Sequence, residues 1–332
     1  MFIINKINIV FKYIVVKRFI TILSIFFSFF YSLQSQEITF SDPYTEKILF
    51  NPAYSGLSQC AELNLAYNKN FIYDYYSTSF NQFIDKYNSG IGIIISNNSQ
   101  AKGAINNFKA DLIYSYKIKL GKNKLLNTAI QTSYIQQNIN TNNLIFNNQI
   151  DPINGIINHT SGESFFQPYN TYDFTFGTSY ISDTYRIGFA ISHIDKIFKE
   201  STNSFINPLY KLHIGKVFSI KNKDNHKYIK TFTPEVIYNY QNGFHQIIYG
   251  FHIINNIFLT RIFVKHNLNF NSISNVFTFG LNYKRIRLSY TYDLLLTKNI
   301  SLPTGGNQVS LRYNFNCRKK RNTKNTIFCT NI

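Results

Sequence analysis

The chain has 332 residues, 44% of them apolar and 17% aromatic, with 32 Phe, 25 Tyr and no Trp. Its 34 Lys and Arg against 16 Asp and Glu give a net charge of +18, but these residues are dispersed and no nucleic-acid motif accompanies them, so the charge does not mark a nucleic-acid partner. No composition shift or Pro/Gly/Ser-rich linker divides the chain, which reads as one domain behind a leader.

Lys17 and Arg18 precede an apolar run, Phe19–Tyr31, and then Ser32–Ser35. A basic region, an apolar run and small residues at its end make a secretory signal, expected to be cleaved near Ser35 so that residues 1–35 are lost. The run is too short to span a bilayer comfortably, and an uncleaved anchor is the alternative. Cleavage removes Lys6, Lys12, Lys17 and Arg18, so the mature charge is 30 − 16 = +14. Nothing downstream is apolar enough for a transmembrane helix, so in a membrane the exported chain must be a barrel.

Residues 36–59 do not alternate, and Asp42-Pro43 and Asn51-Pro52 mark turns there. Ile48, Leu49, Phe50 and Tyr54 would be costly to leave in water. The segment is therefore expected to pack in the periplasmic mouth of a barrel or against a partner there, with Asn51-Pro52-Ala53 placing the chain for its first strand.

Residues 60–316 are dominated by two-faced segments: Ala61–Phe71, Ser77–Tyr87, Gly90–Asn97, Phe108–Leu120, Leu125–Ile139, Asn170–Ile181 and Tyr185–Ile194. The second half adds Leu209–Ile220, Tyr228–Tyr240, Phe244–Ile254, Ile257–Asn267, Asn275–Tyr283, Ile286–Leu295 and Asn307–Asn316. In the last, Val309, Leu311, Tyr313 and Phe315 alternate with Gln308, Ser310, Arg312 and Asn314, so apolar and polar groups take opposite faces. In Phe108–Leu120, Leu112, Tyr114, Tyr116 and Ile118 oppose Lys109, Asp111, Ser115, Lys117 and Lys119. About fourteen such segments behind an export signal predict an all-β, antiparallel transmembrane barrel of the outer membrane, with a lipid-facing outside and a wet inside.

The connections support this. Asn88-Ser89, Gly121–Lys124, Ser182–Thr184, Lys221–Lys227, Asn255-Asn256 and Lys284-Arg285 are short. On the other side, Asn98–Asn107, Asn140–Tyr169, Asp195–Pro208 and Thr297–Gly306 are longer, and Gln241–Gly243 is tight. Short periplasmic turns with long outer loops are the asymmetry of such barrels. Both termini are then expected on the periplasmic side, with residues 317–332 a basic tail.

Catalytic patterns are missing. There is no G-x-S-x-G, no H-E-x-x-H, no phosphate-cradling glycine loop and no paired carboxylates placed for acid–base work, so the reading is a non-enzyme with no cofactor and no metal. Cys60, Cys317 and Cys329 have no metal-binding spacing. Cys60 opens the first strand and Cys317 closes the last, so the two would meet in a closed barrel, but unrelated free thiols are the preferred reading. His193, His213 and His245 fall in strand patterns and read as lumen or interface residues.

Several motifs in order resemble the PorP/SprF family of Bacteroidetes outer-membrane proteins. Asp42–Gly56 (D-P-Y-T-E-K-I-L-F-N-P-A-Y-S-G) is similar to the family's N-terminal D-P-x-(F/Y) followed by N-P-A-x-x-G. Leu144–Gly155 is similar to its mid-chain loop ending in D-Q-I-D-P-x-x-G. Ile286–Asp293 with Gly305–Phe315 looks like its last hairpin, although Gly305-Gly306-Asn307-Gln308 stands where the family usually has Gly-Ser-His-Glu. Motif residues carried over as binding candidates are Asn51, Pro52, Ala53, Gly56, Asp151, Pro152, Gly155, Tyr290, Asp293, Gly305 and Gly306. The resemblance implies a role in type IX secretion or gliding motility. The implied partners are outer-membrane lipid, a secreted adhesin or other type IX cargo with a type B sorting domain, and further secretion components in the outer membrane and periplasm. The alternative is a general or anion-preferring diffusion porin, with Lys109, Lys117 and Lys119 in the lumen.

Overall fold

The alternating segments pair edge to edge in the order in which they occur, and the last closes on the first. The computed structural model describes residues 40–58, 60–70, 72–121, 123–140, 150–151, 155–156, 169–195, 207–221, 228–255, 257–268, 272–296 and 305–315. The expected signal region, Pro152 and the basic tail lie outside these residues. The strands are β1 (Glu62–Lys69), β2 (Tyr73–Ile84), β3 (Ser89–Gln100), β4 (Ile105–Gly121), β5 (Lys124–Ile139), β6 (Tyr169–Ser182) and β7 (Tyr185–Ser192). They continue with β8 (Leu209–Lys216 and Phe218–Lys221, interrupted at Val217), β9 (Tyr228–Gln241), β10 (Phe244–Asn255), β11 (Phe258–Asn267), β12 (Ser272–Tyr283), β13 (Ile286–Leu295) and β14 (Gly306–Asn314). Each pairs antiparallel with its neighbours, and β1 pairs with β14 from Glu62↔Asn314 to Lys69↔Asn307, so the sheet is a closed barrel of 14 strands. Closure leaves no unpaired edge, the condition for a sheet to cross lipid.

The packing is inverted relative to a water-soluble sheet. Asn64, Asn68, Ser79, Asn81, Asn127 and Ser133 are buried, while Leu65, Ile91, Ile93, Leu112, Ile130 and Leu311 lie exposed on the outer surface. With lipid as the outer solvent this is the low-energy arrangement. The wall closes at Phe315, whose N–H donates to the Ala61 carbonyl at 2.9 Å and whose ring packs edge-on to Tyr313 with centroids 4.9 Å apart. Leu311 stands opposite Leu65 on one side and Leu288 on the other. Leu311→Arg should cost about 2–4 kcal/mol at mid-bilayer, less nearer the interface, and is expected to deplete the heat-modifiable folded band on gels. An undiminished band would mean that β14 presents its other face to lipid.

Two expectations need correction. Asn98–Asn107 is not a loop: β3 and β4 continue through it and leave only Ala101–Ala104 as a turn. The polar Asn and Ser there lie in extended strands paired from Asn98↔Asn107 to Gln100↔Ile105. Few residues separate the strands at 70–72 and 268–271 on the same end, so the asymmetry rests on three long connections, 140–168, 193–208 and 296–305. This end is called the loop end below, and the opposite one the turn end. Cys60 is not a free thiol but is disulfide-bonded. Cys317 and Cys329 lie outside the described residues.

Candidate functional site

The lumen is occupied by the chain itself. Asp42 starts the segment, its Oδ1 accepting from the Tyr44 N–H at 2.9 Å in the local turn typical of Asp before Pro. One helical turn, α1 (Lys47–Phe50), follows. Asn51 is extended (φ −147°, ψ 117°), and its side-chain oxygen accepts from the Ala53 N–H at 2.9 Å, capping a 3-10 turn over Pro52–Tyr54. Pro52 suits the first position of that turn, where no N–H is needed. Gly56 then takes φ +65°, and a Cβ there would sit 2.5 Å from the Gly90 Cα.

The segment crosses the barrel from one end to the other. Ser41 lies beside Gly306 at the loop end, and its N–H donates to Gln308 Oε1 at 3.0 Å. Gly56 lies at the turn end, its carbonyl accepting from Lys117 Nζ at 3.1 Å and its N–H donating to Asn81 at 3.2 Å. Between them the polar inner wall supplies partners from strands all around the barrel. Arg261 Nη1 meets Asp42 Oδ2 at 2.5 Å, and Thr278 donates to the same oxygen at 3.0 Å. Lys47 pairs with Glu62 at 2.8 Å. Arg312 donates to the Tyr44 carbonyl at 3.1 Å. Ser79 and Asn64 donate to Glu46 at 2.6 and 2.5 Å. Asn51 Nδ2 donates to the Thr178 and Phe189 carbonyls at 3.2 and 3.3 Å, and the Tyr54 hydroxyl lies 2.5 Å from His213 Nε2. Asn127 donates to the Ala53 carbonyl. Tyr44, Ile48, Ala53 and Tyr54 are buried together with Ile94, Ala129, Ile237 and Phe263 of the wall. Plug and wall together thus build an apolar core inside an otherwise polar lumen.

The wall is shaped for the plug where it lacks side chains. A Cβ at Gly177 would come within 2.4 Å of Asn51 Oδ1 and 2.8 Å of Pro52 Cγ, and one at Gly92 within 2.8 Å of Ser55 Oγ. Gly188 leaves room for the His213 ring, whose Cε1 would be 2.1 Å from a Cβ there.

Glu46 belongs to the plug rather than to a membrane-spanning strand. Burial raises its carboxyl to about 7, against the lowering pull of Ser79, Asn64 and Arg312 and with a further push from Glu62. Burial likewise lowers Lys47 and raises Tyr54, with Glu62 opposing the shift at Lys47. An acid whose pKa is higher in the seated state favours seating fully below its free value of 4.5, and that contribution is lost as pH rises through about 7. Proteolysis of the plug in the purified barrel should therefore be faster at pH 8 than at pH 5, and Glu46→Gln should flatten the difference. An unchanged pH profile in Glu46→Gln would assign the dependence to another group.

The sequence-derived candidates fall into separate places. Asn51, Pro52, Ala53 and Gly56 all lie in the plug. Asp293, Gly305 and Gly306 lie at the loop end of β13 and β14, where Asp293 pairs with Lys265 at 2.8 Å. Tyr290 points to the outer surface and donates to Asn307 at 2.6 Å. Asp151 pairs with Gly155 in a short hairpin, Ile150–Asp151 with Gly155–Ile156, between β5 and β6, and Pro152 lies outside the described residues. Gly177, Gly90, Arg261 and Arg312 were not singled out by the sequence, although they make the seat.

Above the plug a small cavity of about 70 Å³ remains, floored by Phe40, Glu46 and Phe50 and walled in part by Lys109, Lys211 and Lys265. Lys117 is engaged elsewhere, holding the plug carbonyl and lying 3.7 Å from the Phe83 ring centre. Among the described residues no group of His, Cys, Asp and Glu is arranged to hold a metal ion.

A family model described as type IX secretion system membrane protein PorP/SprF matches residues 32–313. No curated protein sequence matches the chain. Solved outer-membrane barrels align at low identity. Omp33 of Acinetobacter baumannii is 6% identical with a TM-score of 0.46, covering 79% of this chain and 100% of its own. The KdgM porin is 5% identical with a TM-score of 0.38, covering 77% and 99%. CdiB of Acinetobacter baumannii is 9% identical with a TM-score of 0.42, covering 78% and 60%.

Proposed function

The chain belongs to the PorP/SprF family of type IX secretion system membrane proteins, and from that premise we propose that it is a plugged outer-membrane barrel that docks a secreted surface protein or other secretion components, rather than a diffusion pore. The plug is the observation that carries this reading. A lumen crossed by a hydrogen-bonded, ion-paired segment is poorly suited to free solute flow, and its Lys117 serves the plug instead of lining a channel. What remains for partners is the loop end of the barrel, with its small cavity, and the long connections that leave the strands there. By the usual asymmetry of these barrels that end faces the exterior. A secreted protein would then meet the barrel from outside, and periplasmic components would meet the turn end, where Gly56 and Lys117 fix the plug.

Crosslinking in outer membranes, followed by purification of the barrel and mass spectrometry, tests the docking role. A secreted protein or secretion component recovered with the wild-type chain, and reduced on removal of the 140–168 connection, is the expected result. A barrel recovered alone, together with large ion conductance in planar bilayers, would favour the porin.

A further inference from the structure

The barrel wall has a flaw on its lipid face. β8 and β9 pair from Leu209↔Gln241 to Gly215↔Glu235 and again from Phe218↔Phe232, so Lys216 and Val217 have no paired partner in β9. Pro234 lies opposite the lapse. β9 pairs with β10 without a break through Pro234↔Phe251, so the lapse is confined to the β8 side. Proline has no N–H to offer a ladder, which fits a gap there. The Val217 N–H turns to the Thr184 carbonyl instead, at 2.6 Å.

The lapse opens a groove on the outer surface. Its sides are Ile214, Val236, Tyr249 and Phe251, and its base includes Gly215, Gly250 and Pro234, where little or no side chain fills the space. A Cβ at Gly250 would come within 2.0 Å of the Ile262 carbonyl oxygen, so the close backbone approach there requires glycine. The groove holds about 430 Å³. At the groove's turn end stands Lys216, opposite Tyr185, the first residue of β7. Its ammonium lies 5.8 Å from the Tyr185 ring centre and 5.0 Å from that of Phe218. Phe218, Phe232 and Phe251 continue the ring contacts, with centroids 6.2 and 5.4 Å apart. Aromatic rings and a lysine at the end of an apolar surface mark the level of the headgroups.

We propose that this groove is a binding site for an anionic phospholipid of the inner leaflet, with one acyl chain along Ile214 and Val236 and the phosphate on Lys216. Charge chooses the occupant. The lining holds one cation, Lys216 at headgroup depth, with apolar surface above it, while its one carboxylate, Glu235, is buried on the lumen side of the wall; the turn end faces the periplasmic leaflet in the orientation given under the proposed function.

Fluorescent phosphatidylglycerol and phosphatidylethanolamine, titrated onto the delipidated full-length barrel in mild detergent, provide the test. Both lipids can set a phosphate on Lys216, but the ammonium of phosphatidylethanolamine is a like charge beside the lysine, so the wild type should prefer phosphatidylglycerol by about tenfold. Lys216→Glu should abolish the preference, and Val236→Trp, which fills the groove from an exposed position, should weaken both lipids. Heat-modifiable migration confirms that each variant is folded. Inorganic phosphate should not displace the lipid, since it cannot use the groove. Equal retention of both lipids by the wild type, or a preference surviving Lys216→Glu, overturns the proposal. So does a polypeptide crosslinked at Val236 in outer membranes with no phospholipid retained.

Discussion

Gly177→Val should turn a silent barrel into a conducting one. Gly177 lies in β6 directly under the Asn51-Pro52 turn, and a side chain there would enter space held by Asn51 Oδ1 at 2.4 Å and Pro52 Cγ at 2.8 Å. The proline ring and the capped Asn51 are stiff, and the 3-10 turn behind them is fully buried. The cheaper response is for the plug to leave its seat, because β6 is paired on both sides at Gly177, with Ala129 of β5 and Ala190 of β7. Valine itself suits a strand. Single-channel recording in planar bilayers should show little conductance for the wild type and large openings for Gly177→Val, with the folded band on gels kept. Gly121→Val is the matched control, since nothing lies within 4 Å of a Cβ there. If Gly177→Val is folded and stays as silent as Gly121→Val, the plug does not close the lumen through this seat. Wide conductance in the wild type would instead transfer the argument to the porin.

The barrel was legible because its physics is local. Alternation in stretches such as Phe108–Leu120 and Asn307–Asn316 is written residue by residue, and lipid outside with water inside requires that pattern. The extent of β3 and β4 was not, because Asn98, Asn106 and Asn107 resemble loop residues and a strand that continues past the apolar band needs no alternation. The turn at Asn51-Pro52 was legible from its residue types, but its seat was not. Gly177 and Gly90 look like ordinary strand glycines until the plug is placed against them. Nor could sequence pair Asp42 with Arg261, 219 positions away. Nothing in either residue's neighbourhood predicts the other, and only closure of the barrel brings the lumen face of β11 against the start of the plug. The break at Val217 had a partial signal in Pro234, a residue out of place in the middle of a paired strand.

Asp42→Ala should release the loop-end half of the plug and leave the barrel standing. Both charges of the Asp42–Arg261 pair are buried, and the carboxylate also accepts from Thr278. Arg261 lies 5.6 Å from the Tyr44 ring, so the plug reaches it by two contacts, of which the ionic one is lost on substitution. Removing one member of a buried pair costs about 3–5 kcal/mol, because the remaining charge is left without compensation. That penalty corresponds to about two to three and a half orders of magnitude in the ratio of seated to unseated plug. It need not be met while the plug stays in place, since withdrawal of residues 42–45 would let water reach Arg261 from the loop-end cavity. Hydrogen exchange, followed by mass spectrometry on peptides covering 42–57, should accelerate strongly, while peptides from β11 and β12 keep wild-type protection. Asp42→Ala combined with Arg261→Met should exchange more slowly than Asp42→Ala alone, because the stranded charge is gone. If the single variant exchanges at the wild-type rate, the pair contributes little to seating and the plug is held by its turn-end contacts. If β11 loses protection as well, Asp42 supports the wall itself, and plug and barrel form one cooperative unit.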